Sequence, residues 1–313
     1  MFSLFIVTCS CFCWLQPVAT NNTVTASNNA FFIMNQFCGK GTNFCNSVES
    51  LCCGLNFCTF APMKIVLQVL FLLSTALTAF AQDNHPAGFM ECNAHLPSQL
   101  YRSQKADSMN EAVPLVVFLH GAGERGNDNH AQLKHCIPFF LDDTITSRYP
   151  FLLLAPQCPV EKRWVDTDWS LPGHQMESEP TAELLAVMHL VDSLIDCGAA
   201  DSIRVYLCGI SMGGFGVWDA LQRWPNKFAA AIPICGGGDP AYANRMKDVP
   251  IYIFHGLQDD IVMPSRSIQM YNALQAAGSN AVLFVTYSDL AHGCWDEAFS
   301  TPGLFHWLFS KKK

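Results

Sequence analysis

The sequence predicts a doubly wound α/β domain, in which helices cover both faces of a mostly parallel sheet. Short apolar segments of strand length alternate with longer helical patterns through the second part of the chain. Within the short segments the apolar residues are continuous rather than spaced by polar ones, which is typical of strands that are buried on both faces. Regular alternation of the two kinds of segment favours helices packed on both sides of one sheet.

Six strands and five helices are expected in this domain. The strand-length segments are residues 115–119, 151–155, 205–207, 229–234, 251–254 and 282–285. The helical patterns between them are residues 132–141, 181–195, 213–223, 265–277 and 295–299. About fifteen residues separate the strand that ends near Cys235 from the strand that starts at Ile251. This connection is too short for a large cap domain, so we expect an open site.

Composition divides the chain into dissimilar parts. Of 313 residues 50% are hydrophobic and 14% are charged, but residues 1–62 contain only two charged side chains, Lys40 and Glu49, with eight of the fifteen cysteines. Residues 82–313 contain sixteen Lys and Arg against twenty-five Asp and Glu. This acidic balance argues against nucleic-acid binding, because the neutralisation of phosphates needs clustered basic residues.

Residues 63–81 have the three-part pattern of a secretory signal peptide. Met63 and Lys64 precede sixteen uncharged residues, and Ala79 and Ala81 supply small side chains at the expected cleavage site. A buried helix or a membrane span is the alternative, although sixteen residues are short for a span. We therefore expect a secreted or periplasmic protein that begins at Gln82 and has no stable membrane anchor.

Residues 1–62 are interpreted as a spurious or unstructured extension that precedes the true start at Met63. The alternative is a disulfide-rich module, since its cysteines are even in number. After the predicted signal peptide, residues 82–313 contain no internal repeat and are expected to form a single catalytic domain.

The third predicted strand runs into a motif that places a nucleophile. Gly209, Ser211 and Gly213 form Gly-x-Ser-x-Gly between a strand and a helix, the context of a nucleophile elbow. The first predicted strand runs into a second glycine-rich loop at residues 120–126. Acyl transfer needs two backbone donors near the developing oxyanion, so the N–H groups of Ala122 and Met212 are the candidates.

The general base and its orienting acid are expected after the serine in the chain. His292 follows the last predicted strand, where its imidazole can reach Ser211. Asp259 and Asp260 follow the fifth strand, and the residue pattern alone leaves both open as the acid. His120 and His255 precede glycines at strand ends and are interpreted as structural.

These motifs together resemble the exported α/β-hydrolase esterases of the phospholipase/carboxylesterase family, which are related to feruloyl esterases and dienelactone hydrolases. The resemblance rests on residues 114–129, 212–216 and 233–238 and on His292 with Trp295, and it covers most of residues 113–309. It implies an α/β-hydrolase fold and a serine esterase. In that family the acid is the last residue of His-Gly-x-x-Asp, so the resemblance implies Asp259 rather than Asp260.

The substrate is less well indicated by the sequence. Trp164 and Trp169, in the loop 156–180, and Trp295 are candidates for a cleft that would suit a small-molecule or carbohydrate-linked ester. No cofactor or metal is expected, because no group of Cys and His has ligand spacing. A prolyl-oligopeptidase-like peptidase and a non-catalytic binding protein are the alternatives.

Overall fold

An eight-stranded sheet organises the computed structural model, whose described residues are 88–92 and 95–313. The predicted extension 1–62 and the predicted signal peptide 63–81 lie outside the described residues. The strands are β1 (Phe89–Glu91), β2 (Ser98–Arg102), β3 (Val113–Leu119), β4 (Leu152–Pro156), β5 (Ala200–Ile210), β6 (Ala230–Ile234), β7 (Ile251–Gly256) and β8 (Val282–Tyr287).

The strand order is β1-β2-β4-β3-β5-β6-β7-β8, and the six strands from β3 to β8 pair in parallel. These are the six predicted strands, so the mostly parallel sheet is confirmed. The two additional strands pair antiparallel at one edge, β1 with β2 and β2 with β4. They lack a sequence signal because β1 has only three residues and β2 begins and ends with polar side chains.

Helices cover both faces of the sheet. They are α1 (Gln104–Asp107), α2 (Ile137–Phe140), α3 (Asp143–Arg148), α4 (Ala182–Asp196), α5 (Met212–Arg223), α6 (Ser265–Ala276), α7 (Trp295–Phe299) and α8 (Leu304–Phe309). Alternate residues of β3 enter two separate cores: Leu115 and Val117 pack with α4, α5 and α6, whereas Val116 and Phe118 pack with α2, α7 and α8. The doubly wound arrangement is therefore confirmed.

The prediction of one helix over residues 132–141 was wrong. A 3₁₀ turn at Ala131–Leu133 and the short helix α2 occupy this segment instead. Cys136 lies between them with φ 64°, a left-handed conformation that an α-helix cannot contain. The break turns the chain so that Ile137 and Phe140 enter the core.

The connection from β6 to β7 contains only a 3₁₀ turn, Pro240–Arg245, and within residues 95–313 no large cap domain covers the sheet. None of the helices in the described ranges has the length and apolar character needed to cross a membrane. The carboxyl ends of the parallel strands are the edge at which a site is expected in such a sheet.

Candidate active site

Ser211 stands in a sharp turn between β5 and α5. Strand β5 ends at Ile210 and helix α5 begins at Met212, so Ser211 alone makes the turn, with φ 53° and ψ −119°. A positive φ is strained for a residue with a side chain. The backbone N–H of Ser211 donates to the carbonyl of Ile234 on β6 at 2.9 Å, which helps to fix the turn.

The glycines of the motif are required because the helix lies directly against the sheet. A Cβ at Gly209 would lie 2.5 Å from the carbonyl oxygen of Gly213. A Cβ at Gly213 would lie 1.9 Å from the carbonyl oxygen of Leu119, at the end of β3. Both distances are far below van der Waals contact with backbone that cannot easily move, so the motif has a steric origin in this chain.

Three side chains from separate strand ends form a continuous hydrogen-bonded series. His292 Nε2 lies 2.8 Å from Ser211 Oγ, and His292 Nδ1 lies 2.7 Å from Asp259 Oδ2. An ionised carboxylate can only accept, so Nδ1 carries the hydrogen and Nε2 is left to accept from the serine hydroxyl. The series is therefore arranged to move a proton from Ser211 to His292.

Asp259 is buried and receives four hydrogen bonds. Its Oδ1 accepts from the backbone N–H groups of Ile261 and Val262, at 3.0 and 2.8 Å. Its Oδ2 accepts from His292 and, at 3.1 Å, from His255 Nε2. Burial acts to raise the pKa of Asp259, but the hydrogen bonds from both histidines and Val262 outweigh it and hold the pKa well below its usual range.

Asp260, the other candidate acid, is exposed. Within the described chain the carboxylate that contacts His292 is that of Asp259. The turn after β7 explains the difference, because Ile261 and Val262 fold back to cap Asp259 while the neighbouring side chain points into solvent.

His255 is a member of the site that the sequence alone did not connect with Asp259. It is completely buried, and its Nε2 contacts both Asp259 and the carbonyl of Val262, at 3.1 and 2.9 Å. Its Nδ1 lies 2.7 Å from the hydroxyl of Ser267 on α6. His255 lies four positions before Asp259 in the chain, and this local spacing is the only sequence signal of the contact.

The two predicted backbone donors each open a helical turn. Met212 is the first residue of α5, and Ala122 is the first residue of a 3₁₀ turn, Ala122–Glu124. An N–H at such a position has no acceptor within its own helix. A Cβ at Gly121 would lie 3.6 Å from Ser211 Cβ, so the loop that contains Ala122 adjoins the serine.

His120 supports this loop from within the protein. Its Nδ1 lies 2.6 Å from the carbonyl of Gly121, and its Nε2 accepts from the N–H of Cys158 at 2.9 Å. Burial lowers the pKa of His120 to about 4, so the ring is neutral at neutral pH and can accept this bond.

The three tryptophans proposed for a substrate cleft lie in different environments. Trp164 is fully buried, packs against α5 and donates its indole N–H to the carbonyl of His120 at 3.0 Å. Its assignment to the cleft was therefore wrong. Trp169 is partly buried beneath the guanidinium of Arg163, 4.4 Å from its ring centre, and its place in a cleft stays a prediction.

Trp295 borders the hydrogen-bonded series. Its ring centre is 5.7 Å from that of His292, and the two rings are nearly perpendicular. On its other side it lies 5.3 Å from the ring of His135. Of the three tryptophans, it is the one with a ring contact to His292.

Cys235, His255 and Asp259 have potential metal-ligand atoms within 4.8 Å of one another. The thiol of Cys235 contacts the carbonyl of His292 at 3.2 Å and the sulfur of Cys294 at 3.3 Å. The contact with Cys294 and burial both raise the pKa of Cys235, which disfavours the thiolate that metal binding needs. Cys235 and His255 are thus engaged with the His292 loop and with Asp259, respectively.

The fold, the strained serine turn and the hydrogen-bonded serine, histidine and aspartate define a protein of the α/β-hydrolase class. Residues 105–301 match the model of the phospholipase/carboxylesterase family. Because this match covers more than half of the chain, the protein belongs to the phospholipase/carboxylesterase family, a family of carboxylic-ester hydrolases.

Individual proteins resemble smaller or larger parts of the chain. This chain is 26% identical over 149 residues to a bifunctional acetylxylan esterase/xylanase of Neocallimastix patriciarum. The matched region covers 48% of this chain and 20% of that protein. It is 25% identical over 199 residues to a probable carboxylesterase of Oryza sativa subsp. japonica, over 58% of this chain and 82% of the relative.

Solved structures share the same architecture. A thermostable esterase has a TM-score of 0.67 and 32% sequence identity, over 72% of this chain and 64% of that one. A ferulic acid esterase with 16% identity and a TM-score of 0.51 shares the fold. The chain thus spans about a fifth of the acetylxylan esterase/xylanase and just under two thirds of the thermostable esterase.

The steric account of the serine turn predicts a large effect of one methyl group. Gly213→Ala places a Cβ 1.9 Å from the Leu119 carbonyl, and we expect a loss of about 3 kcal/mol or more in the free energy of unfolding. At Gly123 a Cβ would meet nothing within 4 Å, so Gly123→Ala should change the free energy of unfolding by less than about 0.5 kcal/mol. Urea unfolding followed by circular dichroism measures both, and equal midpoints for the two variants would contradict the account.

Proposed function

We propose that the protein is a serine esterase that cleaves carboxylic esters through an acyl-enzyme. The observation that carries the proposal is the series from Ser211 Oγ through His292 to Asp259, set on the strained turn between β5 and α5. Ser211 attacks the acyl carbon while His292 Nε2 takes its proton. His292 then gives the proton to the departing alcohol.

Asp259 holds the imidazole of His292 in the tautomer that can accept from Ser211. It also stabilises the imidazolium that forms during attack, since it remains ionised through its hydrogen bonds. His255 donates to the same Oδ2 as His292 and helps to keep Asp259 in place. Water then attacks the acyl carbon while His292 takes its proton. His292 returns this proton to Ser211 Oγ as the bond to the acyl group breaks and the carboxylic acid leaves.

The N–H groups of Ala122 and Met212 bind the oxyanion of the tetrahedral intermediate. Arg125 Nε donates to the carbonyl of Ala122 at 2.9 Å, a bond that restrains the loop carrying one donor. The other donor is held by the start of α5, whose dipole adds positive potential at the same place. Loss of one such donor typically costs about two to three orders of magnitude in rate.

Small, sugar-linked or aryl esters are the proposed substrates. A relative of this chain is named as an acetylxylan esterase/xylanase, and another as a probable carboxylesterase. The short β6 to β7 connection leaves the strand ends uncovered by a large cap within the described residues, which suits an ester attached to a bulky sugar. Trp295, beside His292, offers an aromatic plane for a sugar or aryl group.

Removal of the nucleophile should abolish hydrolysis. We expect Ser211→Ala in the full chain to lower kcat on 4-nitrophenyl acetate by about 10⁴-fold or more, because among the described residues no other hydroxyl is held against His292 Nε2. The matched control is Ser108→Ala, at an exposed serine whose hydroxyl donates to the carbonyl of Lys105 within its own turn. Equal rates for Ser211→Ala and the control would exclude the serine esterase.

The two neighbouring aspartates provide a matched test of the acid. Asp259→Asn removes the anion that orients His292 and leaves an amide that can stabilise the wrong tautomer, so kcat should fall by about three to four orders of magnitude. Asp260→Asn changes an exposed side chain and should leave kcat within about twofold. Steady-state hydrolysis of 4-nitrophenyl acetate measures both, and a larger loss in Asp260→Asn would reverse the assignment.

We also propose that the protein is exported and processed. The support is the pattern of residues 63–81, a charged start, an apolar segment and small residues before Gln82. Intact-mass analysis of protein recovered outside the cytoplasm should give an N-terminus at Gln82. Leu70→Arg, which places a charge in the apolar segment, should retain the protein inside the cell, and an exported chain that still begins at Met1 or Met63 would contradict the proposal.

A further inference from the structure

A buried arginine near the site has two side-chain nitrogens without a hydrogen-bond partner among the described residues. Arg266, the second residue of α6, is 1% exposed. Its Nε and Nη2 are both inaccessible to solvent, and neither has a partner among residues 88–92 and 95–313. Burial of an ionised group without a counter-charge or hydrogen bonds is strongly unfavourable.

Arg223, by contrast, has a carboxylate partner for its guanidinium. Arg223 Nε donates to Asp219 Oδ2 at 2.6 Å, and its Nη2 donates to Asp219 Oδ1 at 3.2 Å and to the carbonyl of Glu177 at 2.7 Å. The same fold therefore supplies a bidentate carboxylate to one arginine and none to the other. A ligand that binds at Arg266 would offset the free-energy cost of burying this charge without a partner.

The walls around Arg266 leave its guanidinium on an apolar support. The guanidinium carbon lies 4.9 Å from the centre of the Phe215 ring, a cation–π contact that satisfies no N–H group. At Gly237 a Cβ would lie 2.8 Å from Arg266 Cβ, so the absence of a side chain at Gly237 makes room for the arginine. Gly173 approaches Nη1 from the loop before α4, where a Cβ would be 3.9 Å away.

A third unpartnered nitrogen, on His174, belongs to the same cluster. The ring of His174 lies 5.9 Å from that of Phe215, and its Nδ1 is buried without a hydrogen bond among the described residues. Burial and the charge of Arg266 lower the pKa of His174 to about 4, so the ring is neutral at neutral pH. A neutral ring can place its single hydrogen on Nδ1 and donate without adding a second buried charge.

The carboxylates nearby are engaged with other donors. Asp168 is exposed, and its Oδ1 accepts from the N–H and the hydroxyl of Ser170. Asp239 accepts from the N–H groups of Met176 and Ala241. Neither forms an ion pair with Arg266, although Asp168 exerts a weaker electrostatic effect on it. The missing acceptor is therefore not supplied by these side chains.

The cluster adjoins the nucleophile through two backbone connections. The N–H of Phe215 donates to the carbonyl of Ser211 at 3.1 Å, which places Phe215 one helical turn beyond the serine. Gly237 lies three positions after Ile234, whose carbonyl accepts from Ser211 N–H. A ligand that contacts Arg266 would therefore lie beside the Ser211 turn, on the side of the carboxyl ends of β6 and β7.

We propose that Arg266 and His174 form a subsite for a carboxylate carried by the ester substrate of Ser211. A guanidinium matches a carboxylate with two parallel hydrogen bonds, and Nε and Nη2 are the adjacent pair that makes such a fork. His174 Nδ1 supplies a third donor. The inference rests on the proposed esterase function and adds to it that the substrate is an acidic ester.

The test compares charged and neutral esters of matched shape on the full chain. Mono-4-nitrophenyl glutarate against 4-nitrophenyl valerate places the charge on the acyl side, and 4-acetoxybenzoate against 4-acetoxybenzamide places it on the alcohol side. Wild type should prefer the charged member of one pair. In Arg266→Met this preference should fall by about tenfold or more through KM, with the neutral ester changed by less than about threefold.

Three further variants separate binding from packing. Arg266→Lys, which keeps the charge but loses the fork, should retain part of the preference, and His174→Phe should lose part of it. Arg223→Met is the matched control: it breaks a paired arginine, so its Tm should fall while the preference stays at the wild-type value. Arg266→Met should be at least as heat-stable as wild type without ligand, since it removes an unpaired buried charge.

An unchanged charge preference in Arg266→Met overturns the subsite but leaves the esterase intact, provided that neutral-ester hydrolysis still depends on Ser211. If hydrolysis does not depend on Ser211, the proposed function fails, and the subsite is judged by binding alone. Glutarate should then raise the Tm of wild type and not that of Arg266→Met. A similar shift in both proteins, or a lower Tm of Arg266→Met without ligand, would assign Arg266 a purely structural role.

Discussion

The close approach of helix α5 to the sheet is the constraint on which the site depends. Gly213 lies against the last carbonyls of β3, and Gly214 lies against the carbonyl of Ile234 at the end of β6. Because neither glycine has a side chain, the helix can begin directly above the strand ends. Ser211 must then take a positive φ to join strand and helix, and this conformation lifts its hydroxyl toward His292. The same approach brings the Gly121 loop beside the serine, so the proposed nucleophile and the proposed backbone donors are placed by one steric condition.

The second organising element is the carboxylate of Asp259. It would be costly to bury alone, yet two backbone N–H groups and two imidazoles donate to it. The backbone donors come from its own turn after β7, so the carboxylate is oriented before His292 contacts it. His255 ties the same carboxylate to Ser267 on α6, which makes the helix after β7 part of the support of the site. The orientation of His292 thus depends on residues of β7, of the turn that follows it and of α6.

The features that the sequence predicted are those that arise from local chemistry. The nucleophile motif and the six parallel strands depend on short segments, and each is read from a few adjacent residues. The antiparallel edge lacked such a signal because β1 has only three residues and β2, which pairs with β4, begins and ends with polar residues. The environments of Trp164 and Trp295 depend on which loop folds inward, and composition cannot distinguish them. The choice between Asp259 and Asp260 likewise depends on a turn whose N–H groups cap one carboxylate only, so the residue pattern left it open.

Asp259 and Arg266 show that this fold handles two buried charges in opposite ways. The anion has four protein donors and needs nothing from outside, as expected for a group that must stay fixed while a proton moves nearby. The cation packs against an aromatic face and beside Gly237, but its Nε and Nη2 have no acceptor among the described residues. The same fold supplies backbone donors to Asp259 and a carboxylate to Arg223, but it supplies no acceptor to Nε and Nη2 of Arg266 within the described residues. Local rules are broken most often where a protein binds its ligand, and an acceptor from outside the chain would restore the balance at Arg266.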